Sequence, residues 1–187
     1  MRITGGQVKG RILANPKGLN IRPTTDRVRE AIFSIIGQDL SGLSVLDLFA
    51  GTGSLGLEAL SRGALQALFI DNSPQSIKLI KKNLALCGFQ DSGVILRRDL
   101  RREILLIRAS ERKLFDLVFL DPPYGENLIP SLLEDLATRD VLSSTSRVIA
   151  ESSKTEGLPI SVGNLHTIDM RLYGDTKISL YAHEDIQ

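Results

Sequence analysis

The sequence predicts an α/β fold, a mostly parallel sheet with helices on both faces, closed by a C-terminal hairpin. Three observations carry this. From Ser44 onward, short apolar runs alternate with helical patterns in five successive α/β units. Glycine or proline punctuates the junctions, at Gly37, Gly51–Gly56, Pro74, Gly88 and Pro122-Pro123. Residues 166–173 and 176–184 then alternate apolar and polar side chains around Gly174-Asp175, the pattern of a hairpin.

The elements follow in order. Residues 1–23 read as a basic arm or small hairpin, rich in Gly, Arg and Lys and broken at Pro16, Gly18 and Pro23; residues 24–187 form the main domain. Thr24 and Thr25 offer capping hydroxyls, Asp26 suits a first helical turn, and Val28, Ala31, Ile32, Ile35 and Ile36 recur at helical spacing up to Gly37. Ser44–Ala50 is a buried strand, Gly51–Gly56 a glycine-rich turn, and Ser54–Arg62 a helix. Gln66–Asp71 is the second strand. Ser73-Pro74 starts a helix whose apolar face carries Ile77, Ile80, Leu84 and Cys87, and Gly88 ends it. Gly93–Arg98 is a third strand, 100–113 a helix, Phe115–Leu120 a fourth strand, Leu128–Ala137 a helix and Arg147–Ser152 a fifth strand.

Composition bounds the function. The 187 residues are one domain's worth, and 42% hydrophobic content supplies a core. A single cysteine, Cys87, excludes a disulfide framework, and His166 and His183 lie far apart, so no metal site is expected. No run of about 18 apolar residues marks a membrane helix, and the N-terminus has no apolar signal core, so a cytoplasmic protein is expected. Charge is unevenly spread. Residues 1–36 hold seven Lys/Arg and two acids, net +5, while the remainder holds sixteen basic and twenty acidic groups, net −4. A basic arm on a slightly acidic body suits a polyanion.

In doubly wound sheets ligands bind beyond the carboxyl ends of the strands. That places candidates at 47–56, 71–73, 99 and 121–124. Gly51, Gly53 and Gly56 turn the chain tightly and expose helix N–H groups. The same spacing, with Asp71 twenty residues on, is also the dinucleotide fingerprint, so the turn alone separates neither S-adenosylmethionine from NAD nor either from an empty turn. Asp47 favours S-adenosylmethionine: a carboxylate in an apolar strand needs a cationic group or backbone amides beside it, and a pyrophosphate would be repelled. Asp71 suits a ribose diol, with Asn72 and Ser73 following. Asp99 can accept from an adenine amino group or simply cap a turn.

The second constellation is Asp121-Pro122-Pro123-Tyr124. Two prolines stiffen the loop, so the Asp121 carboxylate and the Pro122 carbonyl become two fixed acceptors facing one spot, and Tyr124 adds a flat face. Such a pair suits an exocyclic amine on a ring. It holds the two hydrogens, draws the nitrogen toward sp3 geometry and aims the lone pair at a methyl donor.

DLFAGTGSLGLEALSRGA together with DPPY resembles the class I S-adenosylmethionine-dependent amino-methyltransferases. RITGGQVKGR, LNIRPTTDRVREAIF and the strand–Tyr173-Gly174-Asp175–strand pattern narrow the resemblance to the RsmD-type bacterial 16S rRNA (guanine-N2)-methyltransferases, over essentially the whole chain. The resemblance implies a Rossmann-like sheet of seven strands with an antiparallel last hairpin. It implies S-adenosylmethionine near Asp47, Phe49, Gly51, Gly53, Asp71, Asn72 and Asp99, and guanine held by Asp121, Pro122 and Tyr124. Phe49 departs from the wider class, which has glycine there, but matches this subgroup. The expected partner is 16S rRNA in the small ribosomal subunit, bound in part through Arg2, Lys9, Arg11, Arg22 and Arg27 by a monomer without metal or membrane. The target base must leave its stack. An N6-adenine methyltransferase of RNA or DNA, and a catalytically silent nucleic-acid-binding homologue, are the alternatives.

Overall fold

The computed structural model describes residues 1–15, 26–102 and 114–183. The chain forms two compact units, Met1–Arg98 and Asp99–Gln187. The expected caps Thr24 and Thr25, the basic Arg22 and most of the expected helix at 100–113 lie outside the described residues.

The first unit contains helix α1 (Asp26–Ile36), strand β1 (Ser44–Leu48), helix α2 (Ser54–Ser61), strand β2 (Gln66–Asp71), helix α3 (Pro74–Cys87) and strand β3 (Gly93–Arg97). Its strands run parallel in the order β3-β2-β1, with Ser44 opposite Gln66 and Ala67 opposite Gly93. Every residue of β1 is buried, Asp47 included, which is why this strand reads as an apolar run rather than as alternation. Ser73 caps α3 by accepting from the Ser76 N–H, Pro74 occupies the first turn, and Gly88 closes the helix at φ 75°. Gly56 is there for packing: a Cβ would stand 2.4 Å from Phe69 Cε1, so only glycine lets α2 lie this close to β2.

Residues 1–13 fold as a small hairpin. Ile3 N–H donates to the Arg11 carbonyl at 3.0 Å and Gly10 N–H returns to the Ile3 carbonyl at 2.8 Å. Arg2 bridges Ile12, and Ile3 and Leu13 are buried in the unit's core.

The second unit contains β4 (Phe115–Leu120), α4 (Ile129–Thr138), β5 (Leu142–Ser153), β6 (Ser161–Val162), β7 (Leu165–Tyr173) and β8 (Thr176–His183). Its strand order is β4-β5-β8-β7-β6. β4 and β5 are parallel; the β5–β8, β8–β7 and β7–β6 pairs are antiparallel.

The sequence implied seven strands, and the described residues hold eight. The addition, β6, pairs two residues with Leu165 and His166, too short a run to leave a periodic trace. β5 also starts at Leu142 rather than 147, because Phe115 pairs with Leu142 before an irregularity brings Leu117 opposite Arg147. The serine-rich 142–146 stretch carries no strand signal of its own. Among the described residues, no helix is long and apolar enough to cross a membrane.

Candidate active site

The glycine turn leaves the carboxyl end of β1. Phe49 stands at φ 61°, Gly51 at 56° and Gly53 at 78°. Three left-handed residues in five reverse the chain, and Phe49 holds its conformation at a cost that glycine would avoid. This accounts for the glycine common there in the wider class. Gly53 N–H donates to the Ala50 carbonyl, and Ala50 N–H to the Ile70 carbonyl of β2.

Two carboxylates brace the turn. Asp47 is buried and accepts from the Gly56 N–H at 2.9 Å. Burial pushes its carboxyl up to about 7, against the lowering effect of that N–H, while the Asp71 charge adds to the rise. The sequence left a cationic group and a backbone amide as alternative partners for Asp47; within the protein the partner is the amide. Asp71 ends β2 and uses both oxygens, Oδ2 accepting from Gly51 N–H at 2.8 Å and Oδ1 from Ser73 N–H at 2.8 Å. It therefore joins the turn to the start of α3. Asn72 is exposed beside it, its carbonyl accepting from Arg97 Nε at 3.0 Å. From below, the buried Asn83 of α3 donates to the Thr52 carbonyl at 2.9 Å. A Cβ at Gly51 would meet only the Phe49 carbonyl oxygen, at 3.9 Å, so the turn presents open backbone on that side.

In the second unit, Asp121 follows directly on β4, with Pro122 buried and Pro123 and Tyr124 exposed. The Tyr124 hydroxyl donates to Glu151 Oε1 at 3.1 Å and lies 3.1 Å from Thr176 Oγ1. Burial pushes its phenol up to about 12, the Thr176 bond opposing and the Glu151 charge adding. The ring is thus pinned by one residue of β5 and one of β8. Gly125 at φ 81° and Asn127 at φ 50° turn the chain into α4. Asp99 Oδ1 accepts from Arg101 N–H at 3.2 Å, and the Arg101 guanidinium forks onto Glu126 at 2.5 and 2.7 Å. Asp99 therefore caps its own turn, and Arg101 connects that turn to the segment after Tyr124.

Sequence reasoning missed Glu151, Thr176, Arg101, Glu126 and Asn83. None stands in a motif, and each meets its partner only through the fold. Of the basic residues named from sequence, Arg2, Lys9, Arg11 and Arg27 are exposed, and Arg22 lies outside the described residues.

A parallel α/β arrangement with a glycine turn after the first strand and an acidic proline loop after the fourth is that of the mixed α/β methyltransferase fold. The solved Escherichia coli protein named "Putative methyltransferase yhhF" shares it at TM-score 0.84 and 33% identity, over 98% of each chain. The chain belongs to the family described as conserved hypothetical protein 95, which it matches over residues 1–182. It is 38% identical over 182 residues to the Bacillus subtilis "Putative rRNA methyltransferase YlbH", covering 97% of this chain and 98% of that one. It is 33% identical over 184 residues to the Escherichia coli K12 "Ribosomal RNA small subunit methyltransferase D", covering 98% and 90%. The RsmD-type resemblance read from the motifs therefore holds over the full length of the chain.

Proposed function

We infer that this protein transfers a methyl group from S-adenosylmethionine to the exocyclic N2 of a guanine in 16S rRNA of the small ribosomal subunit, as a cytoplasmic enzyme that needs no metal. The observation that carries the reading is the Asp121–Tyr124 loop: two acceptors on a proline-stiffened chain beside an aromatic ring whose hydroxyl is tied to Glu151 and Thr176. The names of the full-length relatives supply the RNA.

The residues around the glycine turn fit the donor. Gly51 leaves its backbone open, and the Asp71 carboxylate faces the turn, suits a ribose diol and makes the surroundings anionic, with the buried Asp47 adding its charge only as pH rises through about 7. Such a set favours a sulfonium and an amino group over a pyrophosphate. Phe49, Gly53, Asn72 and Asp99 complete the proposed contacts, Asp99 toward adenine. When bound, the cofactor supplies an electrophilic methyl on a positively charged sulfur.

The chain's own residues prepare the amine. Asp121 and the Pro122 carbonyl accept its two N–H groups, localising the lone pair on nitrogen. Tyr124 stacks on the base and fixes its plane. As the new N–C bond forms, positive charge grows on nitrogen, and the Asp121 carboxylate offsets it before the surplus proton is released. The hairpin's Arg2, Lys9 and Arg11, with Arg22 and Arg27, hold phosphates around the extruded base.

The test incubates the protein with labelled S-adenosylmethionine and small subunits from a strain lacking the enzyme, then maps the label. N2-methylguanine at one 16S position is expected. Label on adenine N6 would replace the substrate, and none on any RNA would favour the silent binding protein.

A further inference from the structure

We propose that the outer face of α3 is a phosphate-binding surface that grips RNA backbone flanking the target base, in addition to the hairpin's basic residues; it rests on the RNA methyltransferase reading. α3 (Pro74–Cys87, PQSIKLIKKNLALC) holds three lysines and no acid. Lys78, Lys81 and Lys82 stand at i, i+3 and i+4, hence on one face, and all three are exposed. The opposite face carries the buried Ser76, Ile80, Leu84 and Cys87. Like charges at this spacing weaken a helix, and no carboxylate within α3 relieves them.

A second, independent observation shows that the helix is anchored from its inner side. The hairpin does not hang free of this helix. Ala14 N–H donates to Asn83 Oδ1 at 2.7 Å, and Asn83 Nδ2 donates back to the Ala14 carbonyl at 3.2 Å. Asn83 is fully buried and directly follows Lys82. The third Asn83 bond, to the Thr52 carbonyl, fixes the helix to the glycine turn, and Ser73 at its cap follows Asp71 directly. The cationic face is thus held in constant relation to the proposed donor site. Dispersed ammonium groups suit a chain of phosphates, whose bound counterions they displace, better than a shaped small anion.

The experiment compares the wild type with Lys78→Gln/Lys81→Gln/Lys82→Gln and with Arg11→Gln. It measures binding to protein-free 16S rRNA and to small subunits at several salt concentrations, cofactor affinity by calorimetry, and methylation kinetics. The triple variant should keep cofactor affinity and kcat at saturating RNA, raise KM for RNA several-fold, and lower the slope of log K against log salt by about 2–3; Arg11→Gln should lower it by about 1. An unchanged slope and KM in an active triple variant would overturn the surface while leaving the methyltransferase reading intact. A defect seen on subunits but not on free rRNA would assign the lysines to an acidic protein and equally overturn it. A wild type that neither methylates nor binds RNA would instead remove the underlying reading.

Discussion

Asp47 couples the glycine turn to pH through its burial and its bond from the Gly56 N–H. Its ordinary value is 3.8, and in the folded protein it rises to about 7. The folded state therefore holds a proton that the unfolded chain releases. Stability from this group is full below about pH 4 and is lost as pH climbs through 7. Asp47→Asn, which cannot titrate, should flatten that loss; denaturant titrations from pH 4 to 8 that show the same decline in both proteins would contradict the assignment. Asp121, in the second unit, is proposed to accept from the reacting amine. Asp121→Ala should slow single-turnover methylation at least about 10²-fold, the scale of losing one preorganised polar group, with cofactor affinity unchanged. Asp121→Asn keeps one acceptor without the charge and should be slow but active. Tyr124→Phe keeps the flat face but loses its bonds to Glu151 and Thr176. About 1 kcal/mol of placement is at stake, so a several-fold fall in kcat/KM is expected; wild-type kinetics would show that the ring needs no tether.

At the scale of elements, α2 ties the glycine turn at its N-terminus to the hairpin at its C-terminus. Glu58 is fully buried, and its carboxylate accepts from Thr4 N–H, Thr4 Oγ1 and Gly5 N–H at 2.7–2.8 Å. It also pairs with Arg29 at 3.2 Å and with Arg62 at 2.8 Å. Arg29 donates in turn to the Arg2 carbonyl and to Asp26, while Arg62 lies 4.7 Å over the Phe33 ring. Ser61 completes the seam, donating to the Gly5 carbonyl and accepting from Val8 N–H. The seam explains Gly5-Gly6: a Cβ at Gly5 would fall 2.4 Å from the Arg62 guanidinium, and one at Gly6 1.8 Å from the Ser61 carbonyl oxygen. Glu58→Gln takes the Glu58 charge from the buried Arg62 and leaves Arg29 only the half-exposed Asp26, and should destabilise the protein by about 3–5 kcal/mol. A lowered urea midpoint with an unchanged m-value is the expected reading. Removing the hairpin would strip the same groups, so truncation tests stability as well as RNA binding.

For the whole molecule, the donor should act as a folding ligand. At about 100 times its Kd, S-adenosylmethionine should stabilise the protein by about 2.7 kcal/mol and raise Tm by about 5–10 °C. NAD at equal concentration should leave Tm unchanged, since the Asp71 carboxylate opposes a pyrophosphate. Scanning calorimetry compares the two, and stabilisation by NAD alone would return the glycine turn to its dinucleotide reading. Charge acts at this scale too: residues 1–36 carry +5 on a body of −4, so the basic end meets a polyanion first.

The sequence by itself determined the alternation of strands and helices, the turn at Gly51–Gly56 and the loop at Asp121–Tyr124. Each is written in contiguous residues: buried runs such as VLDLF and DLVFL, glycines where the chain reverses, prolines where it must stay stiff. The short β6, the early start of β5 and the brace around each site came from tertiary structure alone. Tyr124 meets Glu151 and Thr176 at separations of 27 and 52 residues, and Asn83 meets Thr52 and Ala14 at 31 and 69. Glu58, which meets Thr4 54 residues away, reads in sequence as an ordinary polar position on a helix. Periodicity reports only which face of an element is buried. A buried polar group takes its partner from whichever chain segment packing brings within hydrogen-bond reach, and that choice leaves no local pattern to read.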